Sequence, residues 1–155
     1  ADHMLRAKLN DALKEAMKVK EKRAVSTLRL ILAALKDRDI AHRTQGAGDD
    51  GISEDEILKL LQSMIKQRRD SIEAYNAGGR KELAESEAEE IDIITMFLPE
   101  QMADDEVVHA VRDIISNSGA SSIKEMGQVM ALLREKYAGR MDFGKASTLV
   151  KEELG

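Results

Sequence analysis

The sequence predicts an all-α protein, in which N-terminal long-helix hairpins or a bundle are followed by a small three-helix domain. Apolar residues recur at spacings of three and four along nearly the whole chain, and no stretch shows the two-residue alternation of a strand. Pro99 is the only proline among the 155 residues, so proline interrupts the helical pattern at one place only. The composition is 43% hydrophobic and only 3% aromatic, which predicts an aliphatic core.

A helical hairpin is predicted at the start of the chain. The first helix, 5–20, has an apolar stripe formed by Leu5, Leu9, Leu13 and Met17. The second helix, 23–42, has apolar residues at 3-4-3 spacing, namely Val25, Leu28, Leu32 and Leu35. Such seams favour antiparallel packing, so we expect these two helices to pair.

A loop and a third helix follow. Residues 44–51 are rich in Gly and Asp, which predicts an exposed, mobile loop. Ser53, with Glu56 three residues later, predicts a capping box at the start of the third helix. That helix extends to about Asn76, because the pair Gly78–Gly79 supplies a positive-φ stop.

The fourth helix and the domain boundary are predicted together. Residues 80–97 form a helix with an acidic face. Pro99 lacks an amide hydrogen and disfavours helix in the residue before it, so this helix must end near Leu98. We therefore predict two domains, 4–98 and 99–155.

Three shorter helices are predicted in the second domain, over 105–117, 123–137 and 143–154. The residue types at their ends support these bounds. The predicted signals are a capping box of Ser122 with Glu125, an N-cap at Asp142, and C-terminal stops at Gly119 and Gly139.

Composition argues against several kinds of site. The chain has no Cys, which excludes disulfides, thiolate nucleophiles and Cys-ligated metals. His42 and His109 lie in different domains, and Asp39 with His42 makes only two ligands, so we expect neither a metal nor a cofactor. The longest apolar run, Leu30–Leu35, is too short to span a bilayer. Together these features predict a cytoplasmic protein without a membrane segment.

Local motifs do not provide a catalyst. Gly139-x-x-x-x-Gly144-Lys145 matches most of a phosphate-binding P-loop. A P-loop also needs Ser or Thr after the Lys and a strand before the first Gly, whereas Ala146 follows and a helix precedes here. No sequence motif for nucleophilic catalysis is present. We predict a protein that is not an enzyme on its own.

Charge is distributed unevenly along the chain, whose net charge is −5. Residues 4–43 hold 11 Lys/Arg and 5 Asp/Glu, whereas residues 44–98 hold 6 and 13. Two readings remain open: the two parts neutralise each other inside the protein, or the basic residues bind anions. The candidate nucleic-acid-binding residues form three groups, which are Lys18, Lys22, Arg23 and Arg29; Lys66, Arg68 and Arg69; and Lys124, Gln128, Arg134, Lys136, Arg140 and Lys145.

Several segments together resemble the YqeY family, which shares its C-terminal domain with the tail of the tRNA-binding subunit of glutamine-dependent aminoacyl-tRNA amidotransferase. The segments are Ile65-Lys66-Gln67-Arg68-Arg69-Asp70-Ser71, Phe97-Leu98-Pro99-Glu100-Gln101, Met126-Gly127-Gln128-Val129-Met130 and Ala138-Gly139-Arg140-Met141-Asp142. The resemblance implies a three-helix tail domain after Pro99. One position departs from the family pattern: Gln128 stands where the family commonly has Lys, which removes a positive charge.

The resemblance also implies a function. It points to a non-catalytic, tRNA-associated helical adaptor, with tRNA and an amidotransferase or aminoacyl-tRNA synthetase component as partners. One alternative is a protein–protein interaction scaffold. A second is an accessory to carbon–nitrogen ligase activity that uses glutamine as amido donor, which rests on analogy of fold alone.

Overall fold

The computed structural model describes residues 4–44, 46 and 51–155. Within these ranges the chain forms seven α-helices and one 3₁₀ turn, without a strand, so the all-α prediction is confirmed. The helices are α1 (Met4–Lys18), α2 (Lys22–Thr44), α3 (Glu54–Ala77), α4 (Lys81–Thr95), α5 (Asp104–Ser118), α6 (Met126–Lys136) and α7 (Phe143–Leu154). Most of the predicted loop 44–51 lies outside the described residues.

The chain divides into two compact units between Leu98 and Pro99. Unit 1 is Ala1–Leu98 and unit 2 is Pro99–Gly155. Each unit has a hydrophobic core of its own. The helix before the division ends at Thr95, slightly earlier than predicted, and the residues up to Leu98 continue as tight turns.

Unit 1 contains two helical hairpins, α1 with α2 and α3 with α4, and α2 also packs against α4. The most deeply buried side chains of its core are Leu9, Leu28, Ile31, Ile57, Leu61 and Ile94. One predicted core residue is wrong, since Met17 is 50% exposed and Ala16 is buried in its place. The stripe of α1 is thus displaced by one residue at its end.

The turn between α1 and α2 explains why α1 ends at Lys18 and not at the predicted Lys20. Lys20 has a φ of 59°, in the left-handed region that favours glycine. The amide of Glu21 donates to the carbonyl of Ala16 at 3.0 Å, and the amide of Lys20 donates to Met17 at 3.3 Å. This is the Schellman arrangement, formed here without glycine.

Helix caps confirm the N-cap at Asp142 and the half of the box at Ser53 that its hydroxyl makes, and they overturn a third prediction. Ser53 Oγ accepts from the amide of Glu56 at 3.2 Å, and Asp142 Oδ1 accepts from the amide of Gly144 at 2.8 Å. The capping box of Ser122 with Glu125 is wrong: the Ser122 side chain makes no cap hydrogen bond. Glu125 instead accepts from the amide of Ser121 at 3.1 Å. The 3₁₀ turn Ile123–Glu125 therefore precedes α6, and Ile123 is exposed.

In unit 2, α5, α6 and α7 pack around one core, and the four residues 99–102 form a strap along the turn after α6. The fully buried side chains of this core include Val111, Val129, Leu133 and Val150. Gln101 Nε2 donates to the carbonyl of Gly139 at 2.7 Å, and the amide of Met102 donates to the carbonyl of Arg140 at 3.0 Å. Arg140 Nε donates in return to the carbonyl of Glu100 at 3.1 Å. The hydrogen bonds join two of the segments that carry the YqeY resemblance.

Candidate nucleic-acid interface

The basic group of unit 2 is mostly exposed. Lys124, Arg134, Lys136 and Lys145 are all exposed, as is Gln128. Within the described residues, none of the four cations forms an ion pair with a carboxylate. Their charges are therefore free to act on an external anion.

Two of these cations lie over aromatic rings of unit 2. Arg134 lies over the ring of Phe143, with the guanidinium carbon 5.9 Å from the ring centroid, at the start of α7. Lys136 lies over Tyr137 at 5.6 Å. Positions two apart on a helix face different sides, so Arg134 and Lys136 do not share one face of α6.

Arg140 differs from the rest of its group. It is half-buried, and both its Nε and its carbonyl take part in the strap. Its local role is to hold residues 99–102 against the turn, which weakens its candidacy as a nucleic-acid contact.

The basic group on α3 is split between the interior and the surface. Arg68 is only 13% exposed, and its Nε lies 3.4 Å from Glu90 and 4.0 Å from Glu87, both on α4. Its Nη1 also donates to the carbonyl of Met64 at 3.1 Å. The charge of Arg68 is therefore neutralised inside the α3–α4 hairpin, which weakens its candidacy as a nucleic-acid contact.

Partial burial changes the pKa of one of the carboxylates beside Arg68. The pKa of Glu87 is raised, first because burial removes water from the charged form and then because Glu90 lies beside it. Arg68 opposes this rise by favouring the charged form. The three side chains form a half-buried polar cluster in which Arg68 is the main cation, and Arg23 adds a smaller effect on Glu87.

The other two members of the α3 group are exposed. Lys66 pairs with Asp70 at 3.2 Å, as the four-residue spacing predicts. Arg69 and Glu73 have the same four-residue spacing but form no ion pair. Arg69 therefore remains exposed without a carboxylate partner among the described residues.

The first basic group lies at the turn between α1 and α2. Lys18, Lys22 and Arg29 are exposed. Arg23 reaches α4, where its Nε pairs with Glu89 at 3.1 Å and its Nη2 donates to Ser86 at 3.0 Å. Arg23 thus belongs to the packing of α2 against α4, so one part of the charge complementarity between the basic and acidic segments is internal.

One polar cluster in unit 1 was missed by the sequence analysis. Arg6 and Asp39 form two parallel hydrogen bonds of 2.6 and 2.7 Å between α1 and α2. Arg6 also donates to the carbonyl of Ile52 at 3.0 Å, and Asp39 accepts from the amide of Ile52 at 2.9 Å. The Arg6 hydrogen bond holds the pKa of Asp39 below its ordinary value. No local spacing could reveal a pair separated by 33 residues.

A row of basic residues on α2 was only half recognised. Lys36 and Arg43 continue the line of Lys22 and Arg29 at intervals of seven residues, and all four are exposed. The signal was present in the sequence, since positions seven apart on a helix share a face. The grouping by segment concealed it.

Two other kinds of site, a metal centre and a membrane span, are absent from residues 4–44, 46 and 51–155. No group of three or more His, Asp or Glu side chains is placed to hold a metal ion. None of the helices in these ranges combines the length and apolar character needed to cross a bilayer.

The structure thus defines a class of protein: a two-unit, all-helical chain whose surface carries several cations without carboxylate partners. A family model described as "Yqey-like protein" matches residues 6–154. The chain belongs to this family, which confirms the resemblance.

Similar proteins occur in yeasts. A protein of Clavispora lusitaniae named "altered inheritance of mitochondria protein 41, mitochondrial" is 28% identical over 145 residues, which cover 90% of this chain and 78% of that protein. Proteins of the same name in Candida glabrata and Lachancea thermotolerans are 33% and 35% identical over 92 residues, or 59% of this chain. The match spans about half the length of these two relatives, 48% and 46%.

The names of these relatives correct the predicted location. Each of the three is named as a mitochondrial protein. The prediction of a cytoplasmic protein, which rested on composition and on the lack of long apolar runs, is therefore wrong. Neither observation distinguishes the cytosol from the mitochondrial interior, because soluble proteins of both compartments share them.

Proposed function

We propose that this protein is a non-catalytic helical adaptor that associates with tRNA. The observation that carries the proposal is the set of exposed, unpaired cations on unit 2, namely Lys124, Arg134, Lys136 and Lys145. Unit 2 holds 7 Lys/Arg and 10 Asp/Glu, so its net charge would repel an anion. Binding of an anion to this unit must therefore depend on the local positions of these four cations. The resemblance of residues 99–155 to the tail of a tRNA-binding amidotransferase subunit selects tRNA as the anion.

The role of these cations is to bind phosphate by releasing its counterions. Such binding weakens linearly on a log–log plot as salt is added, with a slope of about −0.7 to −0.9 per phosphate contact. Gln128 adds only hydrogen-bonding capacity, because it has no charge. The adaptor therefore binds with low sequence specificity, and any chemistry on the tRNA belongs to a partner enzyme.

The direct test is the binding of bulk tRNA to the purified full chain, measured by fluorescence anisotropy over a salt series. The triple variant Arg134→Gln/Lys136→Gln/Lys145→Gln removes three cations from unit 2. A matched control, Lys8→Gln/Lys14→Gln/Lys59→Gln, removes three exposed cations from unit 1.

We expect the unit 2 variant to lower affinity by about tenfold or more at 0.1 M salt and to make the salt slope less steep by about 2. The control should change both quantities much less. Absence of tRNA binding by the unchanged protein at low salt would overturn the proposal. A protein partner that is captured equally well after nuclease treatment, without any tRNA binding, would favour the scaffold alternative.

A further inference from the structure

Helix α2 carries a straight row of cations on the face that points away from the core of unit 1. The row consists of Lys22, Arg29, Lys36 and Arg43, and all four side chains are exposed. Seven residues correspond to about 10.5 Å of rise in an α-helix, so the row extends over about 31 Å. The seven-residue repeat drifts by only about 20° per interval around the helix, which keeps the four on one side.

The pairing of charges in unit 1 distinguishes this row from three arginines there, and its regular seven-residue spacing distinguishes it from the scattered exposed cations. Arg6, Arg23 and Arg68 are each held by carboxylates of unit 1, at Asp39, Glu89 and Glu90. No ion pair is formed by any member of the row within the part of the chain that the structure describes. Helix α2 contains two acidic residues: Asp37, which is exposed, and Asp39, which is half-buried and paired with Arg6. The acidic helix α4 forms no ion pair with the row, and only Arg43 is near enough to a carboxylate, Asp39, to help lower its pKa.

We propose that the outer face of α2 is a phosphate-binding surface that follows the backbone of an RNA. This inference deepens the proposed function and rests on it, because it adds a second RNA contact on unit 1 to the one on unit 2. A regular linear array of positive charge is complementary to a regular linear polyanion. A phosphate backbone satisfies this without any requirement for base sequence.

The alternative anionic surface, a lipid bilayer, fits α2 less well. A helix that lies in a membrane interface inserts a broad apolar face between the head groups. The apolar face of α2 contains Leu28, Ile31 and Leu35, which are 3% exposed or less because they form the core of unit 1. On the outer side only Leu30 and Ile40 are exposed large hydrophobic residues. The exposed side of α2 therefore has positive charge but few apolar side chains that could insert into a bilayer.

The experiment uses the full chain with two four-residue variants of equal charge change. The first neutralises the row, as Lys22→Gln/Arg29→Gln/Lys36→Gln/Arg43→Gln. The control neutralises four exposed lysines of α1, α3 and α4, as Lys8→Gln/Lys14→Gln/Lys59→Gln/Lys81→Gln. Each is titrated with bulk tRNA over a salt series and with vesicles of phosphatidylglycerol, and helicity is checked by circular dichroism.

The row variant should bind tRNA at least tenfold more weakly at 0.1 M salt, with a salt slope less steep by about 3, and the control should retain most of the affinity. Equal losses in the two variants would overturn the inference, as would binding of vesicles in preference to tRNA. If the unchanged protein binds tRNA and the row variant binds equally well, the inference fails while the proposed function stands. If the unchanged protein binds no tRNA, both fail.

Discussion

The two units differ in how deeply the arginines that join their helices are buried. In unit 1, Arg6, Arg23 and Arg68 connect helices through carboxylates, and two of them are largely buried. In unit 2, Arg112 joins α5 to α7 through Glu153 at 2.9 Å but stays exposed, and Arg134 lies exposed over the ring of Phe143. A basic cluster in the sequence therefore has two outcomes, set by whether the opposing helix presents carboxylates.

Removal of Arg68 should have the largest effect on stability. Arg68→Ala leaves Glu87 and Glu90 together in a half-buried site without their cation, and we expect a loss of about 3 kcal/mol in the free energy of unfolding. Urea denaturation followed by circular dichroism measures this. The control is Arg69→Ala, one residue further along, whose exposed side chain should cost less than about 0.5 kcal/mol. Similar losses for both would show that Arg68 is not a core ion-pair residue.

The pair of Arg6 with Asp39 should come next. Asp39→Asn keeps the shape but weakens two charge-assisted hydrogen bonds, with an expected cost of about 2 kcal/mol at pH 7. Because the folded-state pKa of Asp39 is lowered from 3.8, its stabilising effect is complete above that pH and disappears as the pH falls below it. The difference between the unchanged protein and the variant should therefore shrink in acid. A pH-independent difference would contradict this assignment.

The same cluster makes a prediction about two glycines with nearly equal backbone angles. Gly51 and Gly46 have φ values of 77° and 76°. A Cβ on Gly51 would lie 2.4 Å from Asp39 Oδ1, whereas a Cβ on Gly46 would meet nothing within 4 Å. Gly51→Ala should cost at least about 1 kcal/mol more than Gly46→Ala, since both incur the left-handed penalty of about 1 kcal/mol but only one displaces the ion pair. Thermal denaturation of the two variants decides.

Lys20→Gly should give a small gain. The left-handed angle of Lys20 costs a non-glycine residue about 1 kcal/mol, part of which glycine returns as extra freedom in the unfolded chain. We expect stabilisation of about 0.5 kcal/mol, seen as a higher melting temperature. A decrease would mean that the lysine side chain stabilises the turn in a way that outweighs its strain.

In unit 2 the corresponding change should affect stability least. Arg134→Ala removes an exposed contact with Phe143, worth about 0.5 kcal/mol or less. On the proposed function, tRNA affinity should nevertheless fall severalfold at low salt. A large loss of stability in this variant would remove the contrast between the two units.

The helices, and the end of α4 shortly before Pro99, were predictable because they depend on residues that are close together in the sequence. The apolar stripes gave seven helices, and the caps at Ser53 and Asp142 follow from short-range hydrogen bonding. The errors arose where a second partner competes. Glu125 binds the amide of Ser121 in preference to forming the predicted box, and Met17 gives its buried place to Ala16.

The candidate site was less predictable than the fold. Whether a cation is exposed depends on contacts between helices, which sequence spacing does not determine. Arg68 and Arg69 are adjacent, yet one faces Glu90 of α4 and the other faces solvent. The row on α2 could have been predicted, because the sequence provides its four residues and the helical period places them on one side of the helix.

The strap has a practical consequence for dissecting the protein. A fragment that begins at α5, with Asp104, would lack Gln101 and Met102 and leave the carbonyls of Gly139 and Arg140 without their donors. A usable fragment of unit 2 must therefore begin at or before Pro99, five residues before α5 starts at Asp104. For the same reason, the segments around Pro99 and Gly139 act as one structural element, and a substitution in either should be evaluated together with the other.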